Sequence, residues 1–316
     1  MKIAILTLNP GVDRIIYLDT PARLGTLNRA VRSIVSQGSK GANVSIMLRT
    51  LGADPDYFSF TGGALGELLE GFTKKHGVKS HFVRTACGVR TNTKIIDSGG
   101  VCTEFNEAGG PVAPEELEAL LGKLFSDNHD IAVINGSIPQ GVDKCVYNRI
   151  VRQLNAKGTF TVLDADGEAL KHGLSARPAL IKPNLRELAG ILGKNEVELD
   201  SKEQVFSGCR ALREKYGCDI ICTLDGRGSV FCGDGGGYYV DAAEVPLCGF
   251  SGAGDTYLAA YLYKRYIARE SLAASLAYAS AAAGAKVTLP GTELPSTEQI
   301  EQIYKAGIKV RPAAEK

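Results

Sequence analysis

The chain has 316 residues, of which 44% are hydrophobic and 22% charged, and its formal net charge is +1. This length is enough for one large α/β domain or two small ones, and for a sizeable core. A near-neutral charge, without tryptophan or basic runs, argues against a nucleic-acid-binding protein and against a membrane-surface protein.

The hydrophobic runs of the sequence are short. The first of them, residues 3–8, is too short for the core of a signal peptide, and no run approaches the roughly twenty apolar residues of a membrane span. The eight cysteines are scattered without a C-x-x-C pair, which argues against a zinc site and is typical of free thiols in a reducing compartment. We therefore expect a cytoplasmic protein.

Strand-like and helix-like patterns alternate through the first two thirds of the chain. The predicted strands are residues 3–8, 56–60, 131–136, 160–166, 179–184 and 219–224. The predicted helices are residues 43–51, 66–76, 115–125, 143–157, 185–192 and 201–216. Residues 251–286 are rich in alanine and read as almost entirely helical. This order predicts an α/β fold with a mostly parallel sheet and helices on both faces.

Two segments, residues 12–36 and 88–108, interrupt the alternation. The second contains a strand, a glycine-rich turn and another strand, which predicts a hairpin. Both segments are too polar for a buried parallel sheet. They predict a small separate β-layer over one edge of a single domain, residues 1–316, where it would serve as a lid, a dimer contact or both.

A glycine-rich turn with an acid, "SGAGDT", begins the last helical region. Gly252, Ala253 and Gly254 lack bulk, so their backbone N–H groups can approach a ligand. The first N–H groups of the helix are unpaired and carry partial positive charge, which predicts an anion site. Asp255 falls in the first turn, where capping the helix is the alternative role. At this position the helix is expected to lower the pKa of Asp255.

A second glycine-rich loop, "SQGSKGANVS", contains Lys40. It is either a flexible strand-to-helix turn or a site where backbone amides and Lys40 receive polar or anionic groups of a substrate.

A third motif, "IKPNLRELAG", follows the strand that ends near residue 181. Asn184 can cap the next helix and Glu187 can complete a capping box. Alternatively, the two side chains hold a hydrated Mg²⁺ beside phosphates, since Mg²⁺ needs few protein ligands. All three motifs are expected at the carboxyl ends of parallel strands, where open α/β sheets bind ligands.

Seven motifs in order resemble one family. The stretches "LTLNPGVD", "QGSKGAN", "TGGALGE", "NGSIP", "LDADGEAL", "IKPNLREL" and "SGAGDT" are similar to those of the ribokinase-like (PfkB) carbohydrate kinases, from residue 1 to about residue 295. The first and fifth most resemble the branch that phosphorylates ketohexose phosphates, which includes 1-phosphofructokinase and tagatose-6-phosphate kinase. The resemblance implies a three-layer α/β/α sandwich with a β-sheet lid, ATP and Mg²⁺ as cofactors, and a homodimer joined through the lid.

The resemblance also implies a role for each matching residue. Asp255 corresponds to the catalytic base, and Gly252, Ala253 and Gly254 to the anion hole for the transferred phosphoryl group. The positions that bind sugar or its phosphate are Asp13, Arg29, Gly38, Lys40, Gly41, Asn43 and Arg90. Those that bind nucleotide are Lys182, Asn184, Thr223, Asp225, Gly228 and Gly254, and those near the metal are Asn184 and Glu187.

The predicted hairpin strand "VRTNTKI" indicates which sugar phosphate accepts the phosphoryl group. Arg90, Asn92 and Lys94 alternate, so they share one face of a strand. This face is either a solvated lid surface or a clamp for phosphate and hydroxyl groups. The pattern resembles 1-phosphofructokinases, which favours D-fructose 1-phosphate as acceptor, with tagatose 6-phosphate and fructose 6-phosphate left open. The motifs also leave open a non-catalytic sugar-phosphate sensor and a nucleoside or pentose kinase, both with the same fold.

The chain departs from the family pattern at four positions. Phe250 stands where the family commonly has threonine, and Ser39 and Asp225 stand where it commonly has glycine. Glu293 replaces a glycine near the expected nucleotide region. Asp225 and Glu293 both add negative charge where a polyanion is expected to bind.

Overall fold

The computed structural model describes residues 1–249 and 251–313, so Phe250 lies outside the described residues. The strands of the described residues are β1 (Ile3–Thr7), β2 (Gly11–Leu18), β3 (Ala30–Gln37), β4 (Pro55–Thr61), β5 (Lys79–Arg84), β6 (Arg90–Ile96), β7 (Cys102–Asn106), β8 (Ile131–Asn135), β9 (Phe160–Asp164), β10 (Leu180–Ile181), β11 (Asp219–Thr223), β12 (Ser229–Gly233), β13 (Gly236–Val240) and β14 (Val310–Pro312).

The α-helices of the same residues are α1 (Lys40–Thr50), α2 (Gly63–Lys75), α3 (Pro114–Phe125), α4 (Val146–Ala156), α5 (Gly167–Leu174), α6 (Leu185–Leu192), α7 (Lys202–Tyr216), α8 (Ala253–Leu262), α9 (Leu272–Val287) and α10 (Thr297–Ala306). A π-helical turn, Tyr263–Ile267, follows α8. Within the described part of the chain, none of the helices is long and apolar enough to cross a membrane.

Among the described residues, ten strands form the main sheet, in the order β14-β13-β12-β11-β10-β9-β8-β1-β4-β5. The strands from β11 to β5 run parallel, and β12, β13 and β14 extend the sheet in antiparallel pairs. Side chains of β1 alternate between two cores: Ile3 and Ile5 pack on one face, and Ala4 and Leu6 on the other. Apart from the edge strand β5, the parallel strands are largely buried on both faces, as a sheet covered by helices requires.

Helices cover both faces of this sheet. The apolar sides of α3–α7 belong to one core, and those of α1, α2 and α8–α10 belong to the other. The molecule is therefore the three-layer α/β/α sandwich that the sequence predicts, and the fold class is confirmed. Helix α5 and the antiparallel edge were not predicted, although "FCGDGGGYYV" carries the turn residues of the hairpin between β12 and β13.

A second sheet has four strands in the order β3-β2-β6-β7 and is built from the two segments that break the βα alternation. Strands β2 and β6 pair in parallel, with Asp13 opposite Asn92 and Ile15 opposite Lys94. The pairs at its edges are antiparallel. Asp13, Ile15, Asn92 and Lys94 are all buried, so one face of this small sheet is turned toward the main domain.

Candidate active site

A polar cleft of about 560 Å³ lies between the small sheet and the carboxyl ends of the parallel strands. Five neighbouring strands, β1, β8, β9, β10 and β11, contribute residues at or just beyond their ends. These residues include Thr7, Asn9, Gly136, Ser137, Asp166, Lys182, Asn184 and Thr223. The cleft therefore occupies the edge where open α/β sheets bind ligands.

Two of the three sequence motifs line this cleft, but they do not follow the parallel strands after which they were predicted. The loop with Lys40 joins β3 of the small sheet to α1, and the Gly252–Asp255 turn lies well after β13, with no strand among the described residues between them. Neither follows a parallel strand of the main sheet. The expected placement at a strand end was therefore wrong for these two motifs and right for "IKPN", which follows β10.

The turn at Gly252 begins helix α8. Gly252 is the N-cap, with φ +84°, a left-handed conformation that favours glycine. The Asp255 carboxylate is buried and accepts a hydrogen bond of 2.8 Å from Nδ2 of Asn43 in α1. The acid is thus held by a side chain from another element and faces the cleft that Asn43 also lines.

Burial raises the pKa of Asp255, and the nearby Asp164 carboxylate raises it further. Lys40, the Asn43 hydrogen bond and Lys182 oppose the shift without cancelling it. The expected lowering by the helix terminus was therefore wrong. Desolvation of a carboxylate outweighs the partial charge of a helix end when the group is fully enclosed.

Asp164 is the centre of a buried ionic network. It is fully buried at the end of β9, with Oδ1 2.9 Å from Nζ of Lys40 and Oδ2 3.3 Å from Nζ of Lys182. Although burial opposes it, the two lysines hold the pKa of Asp164 below its usual range. Burial likewise opposes ionisation of Lys40, but Asp164, Glu187 and Asp255 hold the pKa of Lys40 above its usual value. The Asp164 carboxylate therefore holds two lysines that were predicted as site residues, Lys40 and Lys182.

The small sheet supplies a second polar cluster. Asp13 accepts hydrogen bonds from Nζ of Lys94 at 2.6 Å and from Nδ2 of Asn92 at 3.0 Å. Nη1 of Arg90 donates to the carbonyl of Glu107 at 2.6 Å, and burial lowers the pKa of the Arg90 guanidinium. Arg90, Asn92 and Lys94 all line the cleft, so the alternating pattern of this strand presents one polar face to it.

This small-sheet cluster is joined directly to the Gly252 turn. Nζ of Lys94 hydrogen-bonds Oγ of Ser251, the residue before the turn, and that Oγ lies 3.5 Å from Oδ2 of Asp13. The residues of the small sheet and those of α8 therefore form one continuous polar surface.

Two predicted glycines are required by close packing. A Cβ on Gly38 would overlap Oδ1 of Asp13, and a Cβ on Gly41 would overlap Oγ1 of Thr7. Gly38 lines the cleft, whereas Gly41 lets α1 approach the end of β1. Any side chain at either position would displace a neighbouring polar group.

Asn184 and Glu187 form the capping box of α6. Oδ1 of Asn184 accepts from the Glu187 amide at 2.8 Å, and Oε2 of Glu187 accepts from the Asn184 amide at 2.9 Å. Both residues also line the cleft, and burial, together with Asp164, raises the pKa of Glu187. A carboxylate and an amide oxygen that both face the cleft are donors that suit a divalent cation which keeps most of its water.

A second, largely apolar cavity of about 230 Å³ adjoins the cleft across the Gly252–Asp255 turn. Thr223, Asp225, Ala253 and Gly254 line both spaces, and Gly228 lines the second only. Its remaining lining, which was not predicted, comprises Gly226, Ala242, Ala243, Leu247, Tyr257, Ser280, Ala283, Gly284 and Val287. The small residues of α9 leave room for a flat apolar group.

The family model of pfkB carbohydrate kinases matches residues 7–299. The chain belongs to this family. The predicted family and enzyme class, an ATP-dependent carbohydrate kinase, are thereby confirmed.

Relatives in this family agree with the match. A 1-phosphofructokinase of Vibrio cholerae is 28% identical over 96% of this chain and 95% of its own length. A 1-phosphofructokinase of Borreliella burgdorferi is 31% identical over 82% of this chain and 83% of its own. A crystal structure described as a possible 1-phosphofructokinase of Thermotoga maritima superimposes with a TM-score of 0.85, at 26% identity over 99% and 100% of the two chains.

Among the predicted pfkB site residues, Arg29 does not reach the cleft. It lies in the exposed segment 19–29 between β2 and β3, and it is absent from the cleft lining. Its phosphate-binding role remains a prediction. Conversely, Glu104 and Asn106 line the cleft from β7, although no motif in the sequence pointed to them.

The departures from the pfkB pattern have different structural settings. Asp225 adopts φ +50° and is exposed, so it takes the left-handed conformation that glycine favours and aspartate tolerates. Oγ of Ser39 is hydrogen-bonded to the buried Tyr57 hydroxyl at 2.8 Å. Glu293 is exposed and lines neither cavity.

Proposed function

We propose that the chain transfers the γ-phosphoryl group of ATP to the 6-hydroxyl of D-fructose 1-phosphate, giving fructose 1,6-bisphosphate. The observation that carries this proposal is the single cleft bounded by the Gly252–Asp255 turn and by Arg90, Asn92 and Lys94 of the small sheet. A kinase for a phosphorylated sugar needs cations for the phosphate already present, in addition to the transfer site. Relatives named 1-phosphofructokinase support this choice of acceptor.

Asp255 acts as the general base. Its raised pKa makes it a stronger base than an exposed aspartate, and it accepts the proton of the hydroxyl as the bond to phosphorus forms. The hydrogen bond from Asn43 fixes the orientation of the carboxylate. The remaining oxygen lone pairs are then available to the sugar hydroxyl.

The backbone amides of the turn form the anion hole. Gly252 lies at the N-cap of α8, and Ala253 and Gly254 begin the helix, so their N–H groups lack partners within it. Such fixed donors stabilise the charge on a transferred phosphoryl group without reorganisation. Lys40 and Lys182, fixed by Asp164, add positive charge beside the turn, since a Cβ on Gly254 would lie 3.3 Å from Nζ of Lys182.

The small sheet binds the acceptor. The buried Asp13 carboxylate, held by Asn92 and Lys94, accepts hydrogen bonds from sugar hydroxyls, and Arg90 binds the 1-phosphate. Because these groups sit on a layer outside the main domain, they close the cleft against water as a lid does.

The nucleotide occupies the two adjoining spaces. Its base fits the apolar cavity beside Gly228, and its phosphates extend past Thr223 and Asp225 toward Lys182. Asn184 and Glu187 would hold a Mg²⁺ ion, mainly through its water molecules. When bound, the ion would neutralise charge on the phosphates.

A substrate panel tests the proposed acceptor. ADP release is measured with fructose 1-phosphate, tagatose 6-phosphate, fructose 6-phosphate, free hexoses, ribose and nucleosides. Fructose 1-phosphate is expected to give the highest kcat/KM. A preference for another phosphorylated ketose would correct the acceptor, and no turnover with any phosphorylated ketose would overturn the proposal in favour of a sensor or another kinase.

Replacing Arg90 by alanine is expected to raise the KM for fructose 1-phosphate by about ten- to a hundredfold, with a much smaller change for ATP. A charge-assisted hydrogen bond to phosphate typically contributes about 1.5–3 kcal/mol. Arg152→Ala is the matched control, because Arg152 is exposed on α4 and lines neither cavity. Equal effects of the two substitutions, or an unchanged KM in Arg90→Ala, would contradict a phosphate clamp.

The outer face of the small sheet supports a homodimer. Ile16, Val31, Val35, Ile95 and Phe105 alternate with the residues of the inner face, and Val31 and Phe105 are 62% and 53% exposed. An apolar sheet face next to two unpaired edge strands is buried most simply by a second copy. Light scattering should give twice the mass of the chain, and Phe105→Glu should halve it. A monomeric wild-type chain at micromolar concentration would reject this dimer.

A further inference from the structure

Lys286 carries a buried charge that the proposed mechanism leaves unused. It lies in the last turn of α9 with no exposed surface, and its Nζ donates a hydrogen bond of 3.0 Å to the carbonyl of Gly291. A neutral carbonyl compensates a buried ammonium only in part. A lysine in this position therefore costs stability that an apolar side chain of similar size would not.

The side chain of Lys286 packs directly behind the Gly252–Gly254 turn, whose amides form the proposed anion hole. A Cβ on Gly252 would lie 3.7 Å from Cε of Lys286. The segment that leads into the turn is hydrogen-bonded to Val287, the residue after Lys286. The amides of Cys248 and Gly249 donate to the Val287 carbonyl at 2.7 and 3.1 Å. Gly291 packs against the same segment, since a Cβ on Gly249 would lie 3.5 Å from the carbonyl oxygen of Gly291, the group that Lys286 holds.

The Lys286 ammonium stays ionised near neutral pH although its burial opposes the charge. Burial lowers the pKa of Lys286 to about 8, and Lys94 contributes to the lowering, whereas Glu293 raises it. Glu293, which departs from the family pattern, therefore acts on Lys286 and lines neither ligand cavity. Lys286, with Glu293 nearby, therefore gives this chain a fixed positive charge behind the Gly252–Gly254 turn.

We infer that Lys286 is a positioning residue whose ammonium strengthens the anion hole at Gly252–Gly254 and, through Gly291, holds that turn in place for the transferred phosphoryl group. The inference rests on the proposed kinase activity. A fixed positive charge inside the protein stabilises charge developing nearby more than an exposed one does, because it is not screened by water and need not reorganise.

The first test replaces Lys286 by methionine, which keeps most of the volume and removes the charge. We expect kcat to fall by about ten- to a hundredfold, with the KM for the sugar phosphate changed less than about threefold. The midpoint of urea unfolding should stay the same or rise, because the uncompensated charge is gone. Lower stability with an unchanged kcat would overturn the inference. Lys264→Met is the control, since Lys264 is paired with Glu270 away from the turn and should leave kcat unchanged.

The second test is chemical rescue of Lys286→Ala. The alanine variant lacks Cγ, Cδ, Cε and Nζ, which n-propylammonium supplies with the charge and n-propanol supplies without it. Saturable recovery of kcat with the ammonium and none with the alcohol is expected, and equal recovery with both would show that packing alone matters. The variants are assayed with whichever acceptor the wild-type chain turns over, so a wrong acceptor and a wrong role for Lys286 give different results.

Discussion

Replacing Asp255 by asparagine is expected to lower kcat by about 10²- to 10⁴-fold, the usual contribution of a general base. Asparagine keeps the shape and can still pair with Asn43, but it cannot accept a proton. Because burial raises the pKa of Asp255, the folded protein disfavours the ionised form, and its charge costs stability at neutral pH. The variant should therefore unfold at the same or a higher urea concentration. Steady-state ADP release and urea unfolding measure the two effects.

The pH dependence of the wild-type chain provides a second readout of the same carboxylate. A base must be deprotonated to act, so kcat should fall as the pH drops through the raised pKa, above the value of about 3.9 of an unperturbed aspartate. An Asp255→Asn variant that keeps wild-type kcat would contradict the assignment. Asp166 is an exposed acid that lines the same cleft, and an Asp166→Asn variant should show the same fall of kcat at low pH as the wild type.

Replacing Asp164 by asparagine is expected to lower the free energy of unfolding by about 3–5 kcal/mol. The substitution leaves the ammonium group of Lys182, whose side chain is 6% exposed, beside a neutral amide, and removing one partner of a buried ion pair typically costs this much. Lys40, whose side chain is 37% exposed, contributes less because water solvates its ammonium group. Urea unfolding at neutral pH measures the change. Asp166→Asn, two residues along the chain and exposed, is the matched control and should change stability by less than about 0.5 kcal/mol.

The effect of Asp164 should depend on pH in a defined direction. The pKa of Asp164 is lower in the folded chain than in the unfolded one, so its stabilisation is complete above the unfolded pKa. It is lost as the pH falls through the folded pKa. The stability difference between wild type and Asp164→Asn should thus be largest near neutrality and shrink in acid. A difference below about 1 kcal/mol at neutral pH would show that water already solvates the two lysines.

Much of the fold could be predicted because local patterns and tertiary structure agree. Helix α6 begins and ends at the predicted residues, since Asn184 caps it and Gly193 ends it in a left-handed conformation. The hairpin of β6 and β7 follows from its glycine-rich turn. Strand β5 was missed because "KSHFVR" lies at the edge of the sheet, is only partly buried and lacks a continuous apolar run.

The site could be predicted where backbone requirements restrict the residue type. Glycines at the Gly252 turn and at Gly38 follow from a left-handed φ or from close packing, and both leave a visible motif. The alternation of Arg90, Asn92 and Lys94 predicts a shared face, and this face lines the cleft.

Contacts between distant segments could not be predicted in the same way. Asp164 and Lys40 lie 124 residues apart, and the motif "LDADGEAL" that contains Asp164 does not indicate which side chains this acid contacts. The raised pKa of Asp255 arises from enclosure by several elements, which a helix-terminus argument omits. Lys286 lies in an alanine-rich helix whose pattern predicts burial but not the turn against which it packs.

The proposed reaction joins a second phosphate to a sugar that already carries one. Phosphorus NMR of a mixture containing the chain, ATP, Mg²⁺ and fructose 1-phosphate observes this step directly. We expect ADP and fructose 1,6-bisphosphate to form in equal amounts, with the new phosphate on the 6-hydroxyl. Unchanged fructose 1-phosphate, or ADP formed together with free phosphate and no bisphosphate, would contradict the proposal.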